Sequence, residues 1–231
     1  MPDLVLVTRP EPGASETAAR LTALGFRHVL APATSIATRA LSVRGQPQAV
    51  LVTSGNALPA LPASLHRLPL FAVGDATAAR ARKAGFGVVH SAGRDAAALA
   101  ELVASRCAPS AGSLLLACGE GQGAALAADL RARGFGVLRR VAYAAHPADT
   151  LPVAARAALA ERRVKAALFF SPQSARTFVT ILQRDMPAEI VQGVEALAIS
   201  PRTEAALRSL PWLRVRVASH PNQDELLTLL P

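Results

Sequence analysis

Thr8, Thr53, Ser54, Thr77, Ser171 and Thr203 each fall where a short apolar run gives way to an Ala-rich stretch. Such a junction reads as the carboxyl end of a strand entering a helix. The first backbone N–H groups of a helix have no intrahelical acceptor, so a hydroxyl placed there stands beside a ready anion site. Taken singly, each of these residues reads as an ordinary N-cap. Their recurrence points further. Val50-Leu51-Val52-Thr53-Ser54-Gly55-Asn56-Ala57 is echoed in pattern by Ala167-Leu168-Phe169-Phe170-Ser171-Pro172-Gln173-Ser174. Ala72-Val73-Gly74-Asp75-Ala76-Thr77 is echoed by Ala198-Ile199-Ser200-Pro201-Arg202-Thr203. Leu4–Thr8 and a segment closing on Gly25-Phe26 are echoed by Leu114–Cys118 and a segment closing on Gly134-Phe135. Hydroxyls at equivalent places in two modules predict a shared ligand role, and turns of this kind facing a cleft would bind a large, many-charged anion.

Tyr143 is the only tyrosine. It falls at the end of an apolar run and reads either as a half-buried packing residue or as a phenol able to donate a proton to a leaving group. The five histidines are isolated, no G-x-S-x-G nucleophile turn or P-loop is present, and neither Cys107 nor Cys118 belongs to a C-x-x-C pair. Gly119-Glu120-Gly121-Gln122-Gly123-Ala124 fits the G-x-G-x-x-A spacing of a dinucleotide-binding turn. Arg139 and Arg140 on the following run would suit NADP. The echoing turn from Thr8 to Gly13 lacks those glycines.

Composition narrows the field. A net charge of +9 reads either as an Arg-rich surface or as a cleft that attracts an acidic ligand, while 4% aromatic residues supply few stacking platforms for nucleic acid. Cysteine usage fits a reducing cytoplasm. No signal peptide and no apolar stretch of membrane-spanning length is read in the sequence.

The elements that must position these residues alternate between strand and helix. Strands are expected at Leu4–Val7, His28–Leu30, Val50–Thr53, Leu70–Val73, Val88–His90, Leu114–Ala117, Gly136–Ala142, Ala166–Phe170, Leu197–Ile199 and Val215–Val217. Ala-rich helices are expected between them, including one after each Ser/Thr turn. This alternation predicts parallel sheets with right-handed crossovers. The repeat divides the chain into a discontinuous domain of residues 1–35 plus 147–231 and a continuous one of 40–140. Residues 36–39 and 141–146 would be linker strands.

Val5-Leu6-Val7-Thr8-Arg9-Pro10, Val52-Thr53-Ser54 with Asn56-Ala57, Ala72-Val73-Gly74 with Thr77, Gly119-Glu120, Tyr143 with Pro147, Phe170-Ser171 with Ser174-Ala175, and Thr203-Glu204-Ala205 stand in an order and spacing that resembles the uroporphyrinogen-III synthase family. The resemblance covers nearly the whole chain. It implies an α/β fold of two flavodoxin-like (Rossmann-like) parallel-sheet domains joined by a two-stranded β-ladder, with the active site in the cleft between them. It implies cyclisation of hydroxymethylbilane to uroporphyrinogen III, with loss of water and inversion of the D ring, in the cytoplasm. No metal or organic cofactor is expected, nor any nucleic-acid or membrane partner; a monomer in transient contact with the bilane-forming deaminase is. The substrate's eight carboxylates would meet Thr8, Arg9, Thr53, Ser54, Asn56, Gly74, Thr77, Gly119, Ser171, Ser174 and Thr203, mostly through backbone amides, and Tyr143 would be the general acid. The chain departs from the family at Cys118 and Gly123, in a turn that often carries arginine, and at Ser200, where glycine is usual. These departures leave open a non-catalytic binder of an acidic small molecule, and the glycine turn leaves open an NADP-dependent oxidoreductase.

Overall fold

A computed structural model describes residues 4–43 and 45–231. In chain order its elements are β1 (Leu4–Val7), α1 (Gly13–Ala23), β2 (Arg27–Leu30), β3 (Thr34–Thr38), β4 (Ala49–Val52), β5 (Leu70–Ala72), α2 (Asp75–Lys83), β6 (Val89–Ser91), α3 (Ala96–Arg106), β7 (Leu114–Gly119) and α4 (Ala124–Ala132). There follow β8 (Val137–Pro147), α5 (Val153–Ala160), β9 (Val164–Phe169), α6 (Pro172–Asp185), β10 (Glu195–Ala198), α7 (Pro201–Ala205), β11 (Arg214–Val217) and α8 (Gln223–Leu227). The chain divides into two compact units, residues 1–35 with 146–231, and residues 36–145.

The first unit holds a five-stranded sheet in the order β11-β10-β9-β1-β2, with every neighbouring pair parallel. Counted along the chain within the unit, that is the 2-1-3-4-5 order of the flavodoxin type. The second unit holds the order β3-β8-β7-β4-β5-β6, with β4 to β8 parallel. The sequence repeats occupy corresponding places: β9 and β4, β10 and β5, and β1 and β7 are equivalent, and both orders then coincide. The α/β class expected from the alternation is the observed one.

Strand composition explains the layering. A strand covered on both faces needs apolar residues at every position, and β1, β4, β7 and β10 are buried throughout. In the first unit Leu4, Leu6, Ala167 and Phe169 pack with Leu159, Phe178 and Leu182 from α5 and α6 on one face. Val5, Val7, Ala166 and Leu168 pack with Leu21 and Leu226 from α1 and α8 on the other. In the second unit Val50, Val52, Leu115 and Ala117 share a cluster with Ala78 and Ala81 of α2, while Leu51, Phe71, Leu114 and Leu116 meet α3 and α4. Each fully buried Leu or Phe contributes about 1.5–3 kcal/mol relative to exposure. Among the described residues no helix is long and apolar enough to cross a membrane.

Two local expectations are corrected. The stretch after Ser54 is no Ala-rich α-helix but a 3-10 helix over Gly55–Ala60, with another over Ala63–Leu65. Pro59 and Pro62 remove the N–H groups and introduce the ring clashes that forbid a continuous α-helix there. Thr77 and Thr203 sit one turn inside α2 and α7, whose N-caps are Gly74 and Ser200.

Glu195 is the acidic residue of the first core, 6% exposed at the start of β10. Arg214 donates to its Oε1 at 2.6 Å, and the Arg216 guanidinium lies 3.6 Å from Oε2. The Arg214 hydrogen bond holds the carboxyl below the usual range. A lowered folded value gives stability that is present above the unfolded pKa and lost as pH falls through the folded one. Glu195→Gln should therefore cost about 1–3 kcal/mol in urea unfolding at neutral pH. That difference should shrink as the pH is lowered below about 4.5, the ordinary glutamate value.

Candidate functional site

In parallel sheets, ligands bind outside the carboxyl ends of the strands, where the strand order reverses. That point lies between β1 and β9 in the first unit and between β7 and β4 in the second. At the first, the structure gathers Thr8, Arg9, Ser171 and Ser174, with Thr203 beyond the next strand. At the second it gathers Thr53, Ser54, Asn56 and Gly119 beside Tyr143 of β8, with Gly74 and Thr77 beyond β5.

In the first unit the hydroxyls are already engaged. Thr8 is 0% exposed, and its hydroxyl donates to the Leu168 carbonyl at 2.7 Å, tying β1 to β9. Ser171 caps α6: its Oγ accepts from the Ser174 N–H at 3.1 Å and donates to the Ser174 hydroxyl. The Ser174 hydroxyl also lies 3.2 Å from Thr34 Oγ1. Ser200 caps α7 in the same way, accepting from the Thr203 N–H at 3.3 Å, and Thr203 is buried. Arg9 presents the cation. Its guanidinium lies 4.4 Å over the Phe170 ring, and Nη1 donates to Gln223 Oε1 at 2.9 Å. A side chain at position 13 would put Cβ 2.3 Å from Arg9 Cζ, so Gly13 is what lets the guanidinium lie flat against α1.

In the second unit the equivalent turn is left barer. Gly74 takes the place of Ser200 and α2 has no side-chain cap, so no capping hydroxyl occupies its first-turn amides, and the Asp75 carboxylate stands in that turn. Thr53 Oγ1 is buried with no hydrogen-bond partner. Ser54 Oγ accepts from the Asn56 N–H at 3.3 Å and opens the 3-10 helix. The Arg80 guanidinium of α2 lies against Gly55, where an added Cβ would stand 2.6 Å from Nη1.

Tyr143 is 4% exposed and is paired with Gly119 across β7 and β8, where a register shift falls between Cys118 and Gly119. The absence of a side chain at Gly119 makes room for the ring: an added Cβ would stand 2.8 Å from Tyr143 Cζ. The phenol donates to Gln122 Oε1 at 3.1 Å. Burial pushes its pKa above the ordinary tyrosine value, with the Ser54 hydroxyl pulling the other way. The group is therefore a protonated phenol at neutral pH, the form that acts as an acid. Gln122 and Arg80 were not among the site residues expected from the sequence. Neither carries a motif of its own: each reaches its place from a neighbouring turn or helix, and the nearest sequence signal is the glycine it packs beside. Among the described residues no group of three or more His, Cys, Asp and Glu could hold a metal ion.

Comparison with known proteins agrees with this architecture. Residues 15–228 match the family described as uroporphyrinogen-III synthase HemD. No curated protein matches the chain by sequence. The crystal structure of uroporphyrinogen-III synthetase from Helicobacter pylori 26695 is 18% identical, with a TM-score of 0.64 over 99% of this chain and 98% of that one. A mutant uroporphyrinogen III synthase from the extreme thermophile Thermus thermophilus is 17% identical, with a TM-score of 0.46 over 98% of this chain and 96% of that one. The first of these carries the fold alone, and the family match spans nearly every element described above. This chain belongs to the uroporphyrinogen-III synthase (HemD) family.

Proposed function

We propose that this protein, a cyclising hydro-lyase of tetrapyrrole biosynthesis by its family, converts hydroxymethylbilane to uroporphyrinogen III with loss of water and inversion of the D ring. The observation that carries the proposal is the buried, protonated Tyr143 phenol beside the carboxyl end of β7, in the same unit as α2, whose first amides lack a side-chain cap.

The chemistry asks little of side chains. The terminal hydroxyl must leave as water, which needs one proton. Tyr143 would supply it, leaving an electrophilic azafulvenium cation and a phenolate. Ring D attacks through its substituted carbon, the spiro intermediate rearranges, and the ring proton lost at the end returns to the phenolate. The bilane also closes without help to the symmetrical type I isomer. The protein's larger task is therefore to hold one folded conformation of the bilane. A net charge of +9 and anion-receiving turns suit a substrate with eight carboxylates. Arg9, Gly74 and Thr77 are the proposed carboxylate contacts with exposed polar reach, and Thr8, Ser171, Ser174 and Thr203 shape the turns. Thr53, Ser54, Asn56 and Gly119 complete the surround of the phenol. The proposal extends to a monomer acting in the cytoplasm on bilane released by the deaminase.

A coupled assay tests this. Porphobilinogen and a bilane-forming deaminase generate the substrate in situ, and the oxidised products are resolved into type I and type III uroporphyrin. The expected result is predominantly type III in proportion to added protein. Type I alone, at the rate without the protein, would leave a binder of acidic molecules and no synthase.

A further inference from the structure

The glycine-rich turn after β7 has a G-x-G-x-x-A spacing that carboxylate binding does not explain, and its glycines answer to this chain's own side chains. Gly119 leaves space for the Tyr143 ring, whose Cζ would stand 2.8 Å from an added Cβ. Gly121 and Gly123 take φ of +71° and +78°, a left-handed region open to glycine, and so fold the turn back over β7. At Gly123 an added Cβ would also stand 3.0 Å from Cys118 Sγ.

The turn is fastened on both sides. Arg139 Nη1 donates to the Gln122 carbonyl at 2.8 Å, and the Cys118 thiol donates to the same oxygen at 3.2 Å. The Glu120 N–H donates to the Tyr143 carbonyl at 2.9 Å. Glu120's own carboxylate pairs with Arg39 at 3.1 Å, so Gln122 is the side chain of the turn that meets the phenol. Gln122 is exposed while Tyr143 behind it is buried. A phenolic O–H rotates to suit its acceptor. An amide oxygen on the exposed side draws the proton to that side, against the Ser54 hydroxyl that also meets the phenol.

Resting on the assignment of Tyr143 as the acid, we infer that Gln122 is a positioning residue, which orients the Tyr143 O–H toward the face from which a substrate hydroxyl would arrive. The backbone of the turn is fixed by Arg139, Cys118 and Glu120, which sets the Gln122 side chain within hydrogen-bond reach of the phenol before substrate arrives. The two departures from the family in this turn are then parts of the device: Cys118 anchors the Gln122 carbonyl, and Gly123 lets the turn pass over the thiol.

The test is a kinetic cycle. Gln122→Met keeps the length of the side chain and removes the acceptor; Gln122→Glu keeps an oxygen in place. Gln122→Met should lower kcat about five- to tenfold with KM within about twofold, while Gln122→Glu holds kcat within about threefold. In a Tyr143→Phe background, Gln122→Met should cause no further loss of kcat. Because Tyr143 is the only tyrosine, a 13C-tyrosine sample gives one Cζ resonance, and Gln122→Met should move it. A Gln122→Met enzyme with wild-type kcat, an equal loss in the Tyr143→Phe background, or an unmoved Cζ resonance would each overturn the inference while Tyr143 kept its role. Wild-type kcat in Tyr143→Phe itself would instead remove the acid, and the inference with it.

Discussion

Tyr143→Phe is expected to lower kcat by about 100-fold, at the lower end of what a positioned general acid contributes, with KM nearly unchanged. The substitution removes one oxygen and leaves the ring in its cluster with Ala117, Ala142 and Leu115. Gln122, the phenol's acceptor, is exposed and turns to water, so unfolding free energy should change by less than about 1 kcal/mol. Slower loss of water gives the uncatalysed closure time to compete, and the share of type I product should rise. The pH profile supplies a second signature. Burial raises the phenol pKa, so the acid form persists through neutrality and kcat should stay level until the pH passes the ordinary tyrosine value of about 10. A fall in kcat between about pH 6 and 8, the range in which histidine titrates, would belong to another group. Unchanged kcat in the Phe variant, measured in the coupled assay under saturating bilane, would show that positioning alone performs the reaction.

The sheets were legible because parallel strands covered on both faces announce themselves as unbroken apolar runs, as at Leu4–Val7 and Ala49–Val52. The duplication said more than any single run. Matching β9 to β4 and β10 to β5 placed the Ser/Thr turns at equivalent points, and the two observed strand orders coincide under that matching. Two prolines outweighed the repeat after Ser54, where a helix was expected and a 3-10 helix formed. The hydroxyls were visible as residue types, but their partners were not. Thr8 spends its proton on Leu168, a carbonyl 160 residues away, and no local pattern encodes that distance. The Gly119–Ala124 spacing also fits a dinucleotide-binding turn because a close approach of pyrophosphate and a close approach of an aromatic ring both demand a missing Cβ. Sequence shows that something comes near the glycine. Only the register of β7 against β8 shows that it is Tyr143.

Gly119→Ala should lower kcat at least as far as Tyr143→Phe and lower stability as well. The reason is space and not backbone strain, since Gly119 does not adopt the left-handed region that Gly121 and Gly123 occupy. The new Cβ would stand 2.8 Å from Tyr143 Cζ, 2.9 Å from its hydroxyl and 3.0 Å from Gln122 Cδ, all inside van der Waals contact. The Gln122 end is flexible and moves aside. The ring cannot, because its other face is packed in the core under α2 and the 3-10 helix. Overpacking of this kind costs about 1–3 kcal/mol, read as a lower Tm. Gly121→Ala is the matched control: no atom lies within 4 Å of its added Cβ, so it should strain the turn and cost stability without displacing the phenol. The double variant separates the two consequences. In Tyr143→Phe the ring carbon still stands where the Cβ must go, so Gly119→Ala should still lower Tm, yet it should take nothing further from kcat, the acid being already gone. A Gly119→Ala enzyme with wild-type kcat would mean that the phenol tolerates displacement, and a positioned proton donor does not.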